Sequence, residues 1–531
     1  MHKHCDKYWG CCAIQEQMME LLMDVAHFTL GEANNARKIV GKKQMSKIPQ
    51  LKEQVFSKFK NSTHAEWFWE TAIAPQLGYA FSLNHSLPYS FVGMQSIYFV
   101  INFNPIYWNT ACLIVNSGAV DPENSGSTDY AKIAKAIGDI QSANIQVGLA
   151  DINKSDFGFV PDVNKNRIIF GLKGILNVGE DVINDTINNR PYSSPKDYLI
   201  RVKPNKQAMI SLIKGGAFDE MMDRKTCMAW YIWETCDKKK RITLQNMPGL
   251  IKYDLLIAET AEQVLAKRVF EFNRYLKAVC KFNTTDYKVD ERAISFLCEI
   301  GQEHLISDEL LNMKKWDKVY QVYMDIFRDW IAADKDRILD NLNTQIFLED
   351  WNKYALGSIS AWEMEVLCFY YHDHELKYVN RSKYGLSNFF DLSEEPEVEH
   401  SFSKGGKTIN ILKLSKICGT CIAKNKNKNI VTLLTPEGVV NIKFRKEYFS
   451  LFDKQISIRL SDGKKKVMEK SWFNRGNMII VQGFRSGDNF IPKKYASSEG
   501  HQLYKIDSVD EYGDLTLKTE RYQGGFEEDE I

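Results

Sequence analysis

The chain has 531 residues, 44% of them hydrophobic and 26% charged, with 69 Lys+Arg against 68 Asp+Glu and a formal net charge of +1. These values exclude a disordered or fibrous chain and suit roughly three or four globular domains. The near-neutrality hides a segregation, because residues 401–475 carry 17 Lys+Arg against 5 Asp+Glu while 476–531 carry 6 against 11. One strongly basic module on an otherwise neutral-to-acidic chain points to local contact with a polyanion. The 11 cysteines form no framework, and no apolar core follows His2, Lys3, His4, Asp6 and Lys7. A reducing, cytoplasmic setting with free thiols is therefore expected.

In chain order, residues from about 15 to 40 read as helix, with Met19, Leu22, Met23, Ala26 and Leu30 on one apolar face and Gly31 and Gly41 as punctuation. A second helix is predicted from about 88 to 101, opened by Pro88, with Val92, Ile97, Val100 and Ile101 turned inward. The apolar stretch 87–115 that contains it is interrupted by Gln95, Asn102, Asn104, Pro105 and Asn109. It never reaches the ~18 uninterrupted apolar residues of a membrane span, so it is read as buried helix and loop. Helices are also expected at 130–142, 180–188 and 206–214, with a polar, turn-like stretch at 151–166. Residues from about 221 to 378 mix charges with Trp, Tyr and Leu and read as mainly helical. Ser393–His400 is an acidic linker.

After the linker the period changes. Short β-branched runs at Ile409–Leu414, Ile430–Leu434, Val439–Phe444, Ile456–Leu460 and Met478–Gly483 predict a small five-stranded barrel of the oligonucleotide-binding (OB) kind. The fold class is thus α+β and multidomain, mainly helical first and ending in a β-barrel. Lys424, Lys426 and Lys428 fall in one predicted loop and Lys464, Lys465 and Lys466 in another. Phe444, Tyr448, Trp472, Phe473 and Phe484 offer stacking faces. A basic groove with aromatics is the recipe for single-strand binding, although core aromatics with solubilising lysines answer the same pattern. Arg37, Lys38, Lys42 and Lys43 form a basic helix end, and His85 follows Asn84 in a polar turn. Cys418-Gly-Thr-Cys421 has metal-like spacing without a second pair and is read as structural. His372-Asp-His-Glu375 is read as surface, and Asp334 with Asp336 as a solvated helix face.

Six blocks carry a resemblance. They are Ala13-Ile-Gln-Glu-Gln-Met-Met19 with Phe28-Thr-Leu-Gly-Glu-Ala33 and Arg37-Lys-Ile-Val-Gly-Lys-Lys43; Phe81-Ser-Leu-Asn-His-Ser-Leu-Pro-Tyr-Ser90; Asp151-Ile-Asn-Lys-Ser155; Phe170-Gly-Leu-Lys-Gly-Ile-Leu-Asn-Val-Gly-Glu180; Asn205-Lys-Gln207 with Leu212-Ile-Lys-Gly-Gly-Ala-Phe-Asp219; and 362–376. In this order they resemble the C-terminal part of bacterial replicative DNA polymerases of the C family, the α subunit of polymerase III.

The resemblance implies polymerase fingers to about residue 168, tandem helix-hairpin-helix units over 169–225, a helical connector over 226–400, an OB domain over 401–500 and an acidic tail over 501–531. It implies that Arg37, Lys38 and Lys42 hold the incoming dNTP triphosphate with His85 beside it. It places Asn177 and Gly179 in one DNA-binding hairpin, and Lys214 and Gly215 in a second. The family's metal-holding aspartates lie upstream of the block that starts near Tyr8. Mg²⁺ is therefore expected on a separate palm-bearing chain, with this chain the product of a split or truncated gene. A non-catalytic DNA-binding remnant or accessory protein is the alternative. Asn343-Thr-Gln-Ile-Phe347 lies where family members carry a clamp-binding peptide, with Phe347 as its anchor.

Overall fold

A computed structural model describes residues 2–77, 80–122, 125–405, 407–459, 465–496 and 500–522. The chain divides into two compact units, residues 1–109 and 110–531. The first unit is helical: α1 (Gln15–Asp24), α2 (Leu30–Gly41), α3 (Ile48–Phe56), α4 (Ser62–Phe68) and α5 (Leu83–Asn102). The single helix expected over 15–40 is broken in two. His27 takes a left-handed conformation (φ 52°), and Thr29 with Glu32 forms a reciprocal capping box that starts α2 afresh. Met18, Leu21, Leu22, Ala33, Ala36 and Val40 are buried between these helices, and Leu30 is left exposed. Helix α5 begins five residues before Pro88, which sits inside it. Its first turn is capped from another element, since the Leu83 amide donates to the Glu16 carboxylate at 3.0 Å.

In the second unit, α6 (Tyr130–Ser142) precedes a small sheet in which Arg167–Ile169 lies between Gln146–Val147 and Val160–Asp162. Helices α7 (Glu180–Asn188), α8 (Pro195–Val202), α9 (Lys206–Lys214) and α10 (Arg224–Thr235) follow. The connector is mainly helical, as expected, and is built on α11 (Ala261–Tyr275), α12 (Met313–Ala333) and α13 (Lys335–Tyr354). The fully buried Trp316 anchors it, its indole N–H donating to Asn273 at 3.0 Å. Among the described residues no helix is long and apolar enough to cross a membrane.

Helix α14 (Ile359–Leu367) is the keystone of this unit. Its Glu363 is fully buried and accepts from Arg224 Nη1 at 2.9 Å and from the amides of Tyr371 and His372 at 3.0 Å each. Arg224, itself 3% exposed, also donates to Asp219 and to the Lys214 carbonyl. A buried carboxylate is tolerated only when its lone pairs are filled in this way.

The C-terminal strands are β1 (Ser415–Asn425), β2 (Ile430–Thr435), β3 (Gly438–Lys443), β4 (Met478–Ser486), β5 (Asn489–Pro492), β6 (Leu503–Val509) and β7 (Leu515–Lys518), with α15 (Lys446–Asp453) between β3 and β4. Strands pair in the order β5-β3-β2-β1-β4, and β4 also pairs with β5, closing a five-stranded barrel. β3 and β5 run parallel and the other neighbours antiparallel. With its helix after the third strand, this is the OB-like arrangement expected from the sequence. Two of the five expected strands are misplaced, however. The described strand residues of these two runs, Ile409–Leu412 and Ile456–Arg459, fall on separate hairpins, Val398–Lys404 with Lys407–Leu412 and Ile456–Arg459 with Lys465–Glu469. Residues 415–425 and 489–492 close the ring instead.

The expected acidic tail is also corrected in part, because β6 and β7 extend the sheet from β4. Glu469 fastens them. Its carboxylate accepts from Lys518 at 2.8 Å, from Trp472 Nε1 and Arg521 Nε at 2.9 Å, and from the Tyr522 amide at 3.0 Å. Burial alone would raise the Glu469 pKa, but these donors bring it from 4.5 down to about 2. A carboxyl depressed by folding contributes stability that is complete above pH 4.5 and is lost as pH falls toward about 2. Glu469→Gln is therefore expected to lower the urea midpoint at pH 7 and to flatten its decline between pH 4.5 and 2. Equilibrium urea titrations read by tryptophan fluorescence at several pH values measure this.

Candidate nucleic-acid interface

Each expected site residue except Lys464 has a definite place in the fold. In the first unit, Arg37 lies mid-helix on α2, half-buried. Its Nε and Nη2 donate to Asn34 Oδ1 at 3.1 and 3.0 Å, and its Nη1 reaches Gln15 Oε1 at 3.5 Å. Lys38 is exposed beside it, and Lys42 caps the helix one turn on. His85 is exposed in the first turn of α5, its ring 4.4 Å from that of Tyr89. The N-terminus of α1 gathers these groups. Gln15 meets Arg37 and, through its amide, the Phe81 carbonyl at 2.7 Å, while the adjacent Glu16 holds the start of α5. The Gln-Glu pair of the first block thus ties α2, through Arg37, to the start of α5.

In the second unit, the first hairpin is built as the sequence predicts. Asn177 adopts the left-handed conformation (φ 64°), which Asn tolerates better than most residues. Gly179 is the N-cap of α7 without a side-chain cap. Asn177 and Gly179 are exposed, so the unpaired amides at this helix start face solvent. The Leu176 amide donates to Val366 O at 2.9 Å, which locks the turn onto α14.

The second hairpin is not where the sequence reading put it. Lys214 and Gly215 close the C-terminal end of α9, where carbonyls rather than amides point outward and a phosphate is disfavoured. Lys214 is 4% exposed and donates to Glu365 at 2.6 Å. Gly216 (φ 77°) is glycine because a Cβ there would come within 2.6 Å of Arg224 Nη2. This Lys-Gly-Gly serves the buried ion pair. The amide end lies at the other terminus of α9, where Lys203 (φ 52°), Pro204 and the N-cap Asn205 make the turn. The X-Pro step followed by Asn was the available signal.

The barrel corrects more. Trp472 is fully buried with its N–H on Glu469, and Phe444 and Phe473 pack in the same core, so none stacks on a base. Lys424 is taken by Asp453 at 2.5 Å and by Asn474 at 3.2 Å, and Lys426 approaches Asp453 at 3.5 Å. Lys464 lies outside the described residues. Lys465 and Lys466 are exposed on a hairpin apart from the barrel ring. Part of the outer face is covered as well. Ile422, Leu434 and Val439 pack against Ala134 of α6, Met364 and Tyr370. What remains open is the rim where β1 turns into β2 and β3 ends. Lys428, Lys443, Arg445 and Lys446 are exposed there and make no ion pair with a described residue. Register pairs Lys443 with Ile430, and the Phe444 amide donates to Asn429 O at 2.9 Å, which brings the two ends together. Tyr448 stands beside them, 41% exposed and stacked on Phe452.

The metal-like clusters are structural. His374 is buried, its Nδ1 accepting from the Leu376 amide at 3.0 Å and its Nε2 lying 2.9 Å from Leu434 O. It is therefore an internal post rather than a surface residue. Burial drives its pKa from 6.5 down to about 4, so the ring is neutral. His372 Nδ1 lies 2.7 Å from Glu363. Burial pushes the Cys418 thiol up to about 12 and the Cys421 thiol higher still, as suits inert core cysteines. Asp334 pairs with Arg337, Asp336 lies in the first turn of α13, and among the described residues no three His, Cys, Asp or Glu converge. Phe347 sits mid-helix on α13 against Trp233 and Trp351, and Asn343 is engaged with the Lys239 backbone, which is not the free peptide a clamp pocket takes.

Residues 1–63 match the family model of the bacterial DNA polymerase III alpha subunit finger domain, and residues 144–227 match that of the helix-hairpin-helix motif. A probable DNA polymerase YorL of Bacillus subtilis (strain 168) is 38% identical over 548 residues, covering 98% of this chain and 42% of that relative. The DNA-directed DNA polymerase of Bacillus phage SPbeta gives the same figures. The DNA polymerase III subunit alpha of Thermus aquaticus is 30% identical over 235 residues, covering 42% of this chain and 18% of that relative. Residues 1–63 are thus similar to the finger domain of bacterial DNA polymerase III alpha subunits and residues 144–227 to a helix-hairpin-helix motif, and the chain matches the C-terminal part of longer relatives. It spans 42% of the length of the two relatives that match it throughout.

Two outcomes test the interface. Asn177→Val is expected to cost about 1–2 kcal/mol and to weaken duplex binding, because a β-branched residue resists this conformation, whereas Asn177→Gly keeps both. Urea unfolding and fluorescence anisotropy on a DNA duplex measure this. Replacing Lys428, Lys443, Arg445 and Lys446 with Gln is expected to lower the salt slope of single-strand binding by about 0.7 for each phosphate no longer neutralised. Lys424→Met is expected to lower stability with little change in that slope.

Proposed function

We propose that this chain works as the C-terminal part of a template-directed DNA polymerase. The observation that carries the reading is 38% identity along 98% of the chain to a DNA-directed DNA polymerase. In this reading Arg37, Lys38 and Lys42 receive the triphosphate of an incoming dNTP, and His85 donates to it. Asn34 and Gln15 fix the Arg37 guanidinium before nucleotide arrives, so less side-chain freedom is lost on binding. Lys38 supplies a charge but no bidentate fork.

The amides at Asn177–Gly179 hold the duplex by its phosphates, which fixes position without reading sequence. The rim at Lys428, Lys443 and Arg445, with Tyr448, takes the single-stranded template. Metal-assisted phosphoryl transfer needs Mg²⁺ held by carboxylates. We assign those to a palm-bearing polypeptide outside these residues. A clamp contact through Phe347 would require that ring to leave Trp233 and Trp351, so Phe347→Ala is expected to leave clamp affinity unchanged.

The test separates nucleotide from DNA. The isolated chain is expected to bind primer-template in a steeply salt-dependent way and to extend nothing. Arg37→Ala is expected to change its DNA affinity by less than about twofold. In a complex reconstituted with a palm-bearing partner, the same change is expected to raise the dNTP KM or lower kcat by about tenfold or more, as removal of a charge-assisted hydrogen bond does. Steady-state primer extension measures this. Loss of DNA binding with unchanged nucleotide kinetics would reverse the role given to the fingers, and a complex that never extends a primer would leave a non-catalytic DNA-binding chain.

A further inference from the structure

Helix α5 is left uncovered along its whole length. None of its 20 residues is buried, and Leu83–Asn102 contains no Asp, Glu, Lys or Arg. Phe91 and Tyr98 are each 58% exposed, Val92 59%, Phe99 53%, Tyr89 68% and Val100 41%. At 100° per residue these three pairs point in three different directions, so the helix is apolar on several sides rather than along one stripe. Helices of that kind belong in the interior of a larger body. The side chains of α5 expose on the order of 1,000 Å² of apolar surface. That exceeds the roughly 300–600 Å² of the largest patch on an ordinary monomer and matches the ~800 Å² that one partner gives a standard interface.

We propose that α5 is the docking element for the palm-bearing polypeptide, which receives it in an apolar cleft. The identification of that partner rests on the function proposed above. Two observations select it. A two-fold contact with a second copy covers one stripe of each helix, whereas α5 must be enclosed from several sides, as a folded domain encloses an interior helix. The relatives that match this chain throughout also carry more than half their length outside the matched part, enough polypeptide for such a domain. The joint at Gln15 and Glu16 ties the start of α5 to the helix facing Arg37, so docking there would bring the partner's metal site and the fingers' cations to one place.

The part of the Bacillus phage SPbeta polymerase that this chain does not match, produced separately, is a suitable probe in sedimentation-velocity and primer-extension experiments with the full chain. A one-to-one complex is expected that survives ~0.5 M salt, unlike DNA binding, because the surface is uncharged. Phe91→Ser with Tyr98→Ser is expected to weaken it by about 100-fold or more, as removal of two aromatic anchors does. Both side chains are already exposed, and unchanged DNA affinity and circular dichroism would confirm the variant's fold. A complex that extends primers supports both the docking and the polymerase reading. A salt-resistant complex that is lost in the variant but extends nothing supports the docking and removes the polymerase reading. Failure of the folded, DNA-binding chain to form a complex overturns the docking. Self-association of the chain, or flotation with phosphatidylglycerol vesicles, that depends on Phe91 and Tyr98 overturns it in favour of a second copy or a membrane surface.

Discussion

The second unit is organised around one buried charge. Glu363 has no exposed surface, and a lone carboxylate there would be strongly disfavoured. Arg224 answers it at 2.9 Å and is itself held by Asp219, while two amides from 371–372 fill the remaining lone pairs. These groups come from segments far apart in sequence, the turn after α9, the start of α10, α14 and the loop beyond it. Satisfying one carboxylate therefore fixes the hairpin region against α14. From α14 the path continues to the barrel, since Tyr370 hydrogen-bonds Thr420 at 2.9 Å and His374 meets Leu434 O.

That anchorage decides which surfaces remain for DNA. The Leu176 amide spent on Val366 holds the first hairpin with its helix start facing out. The Lys214-Gly-Gly216 turn is consumed in packing under Arg224, so the glycines that resemble a second phosphate cradle are there for close approach. On the barrel, Tyr370 and α6 cover part of the outer sheet, and at the rim beyond the covered part Lys428, Lys443, Arg445 and Lys446 stay exposed. Basic residues of equal prominence in sequence thus divide into structural and available sets according to whether an acid such as Asp453 is within reach.

Several readings needed no tertiary information. Asn177 in a left-handed turn and the inert Cys418–Cys421 pair follow from local chemistry that acts within a few residues. The existence of a small barrel was legible in the change of period after residue 400. Its membership was not. Ile409–Leu412 and Ile456–Arg459 are strands with the right alternation, yet they pair in their own hairpins, and the short 489–492 run closes the ring. Periodicity reports that a segment is extended and which side is apolar, and it carries no information about the neighbour.

The sequence by itself determined the helical and stranded segments, the segregation of basic charge and the order of the polymerase-like blocks, because propensity, capping and composition are properties of adjacent residues. Only the tertiary structure decided that Trp472 is core, that Lys424 is neutralised, that Lys214 faces inward and that α5 is left apolar and uncovered. Those outcomes depend on burial and on partners distant in sequence. A charge or an aromatic ring is free for a ligand only when the folded chain has not already used it.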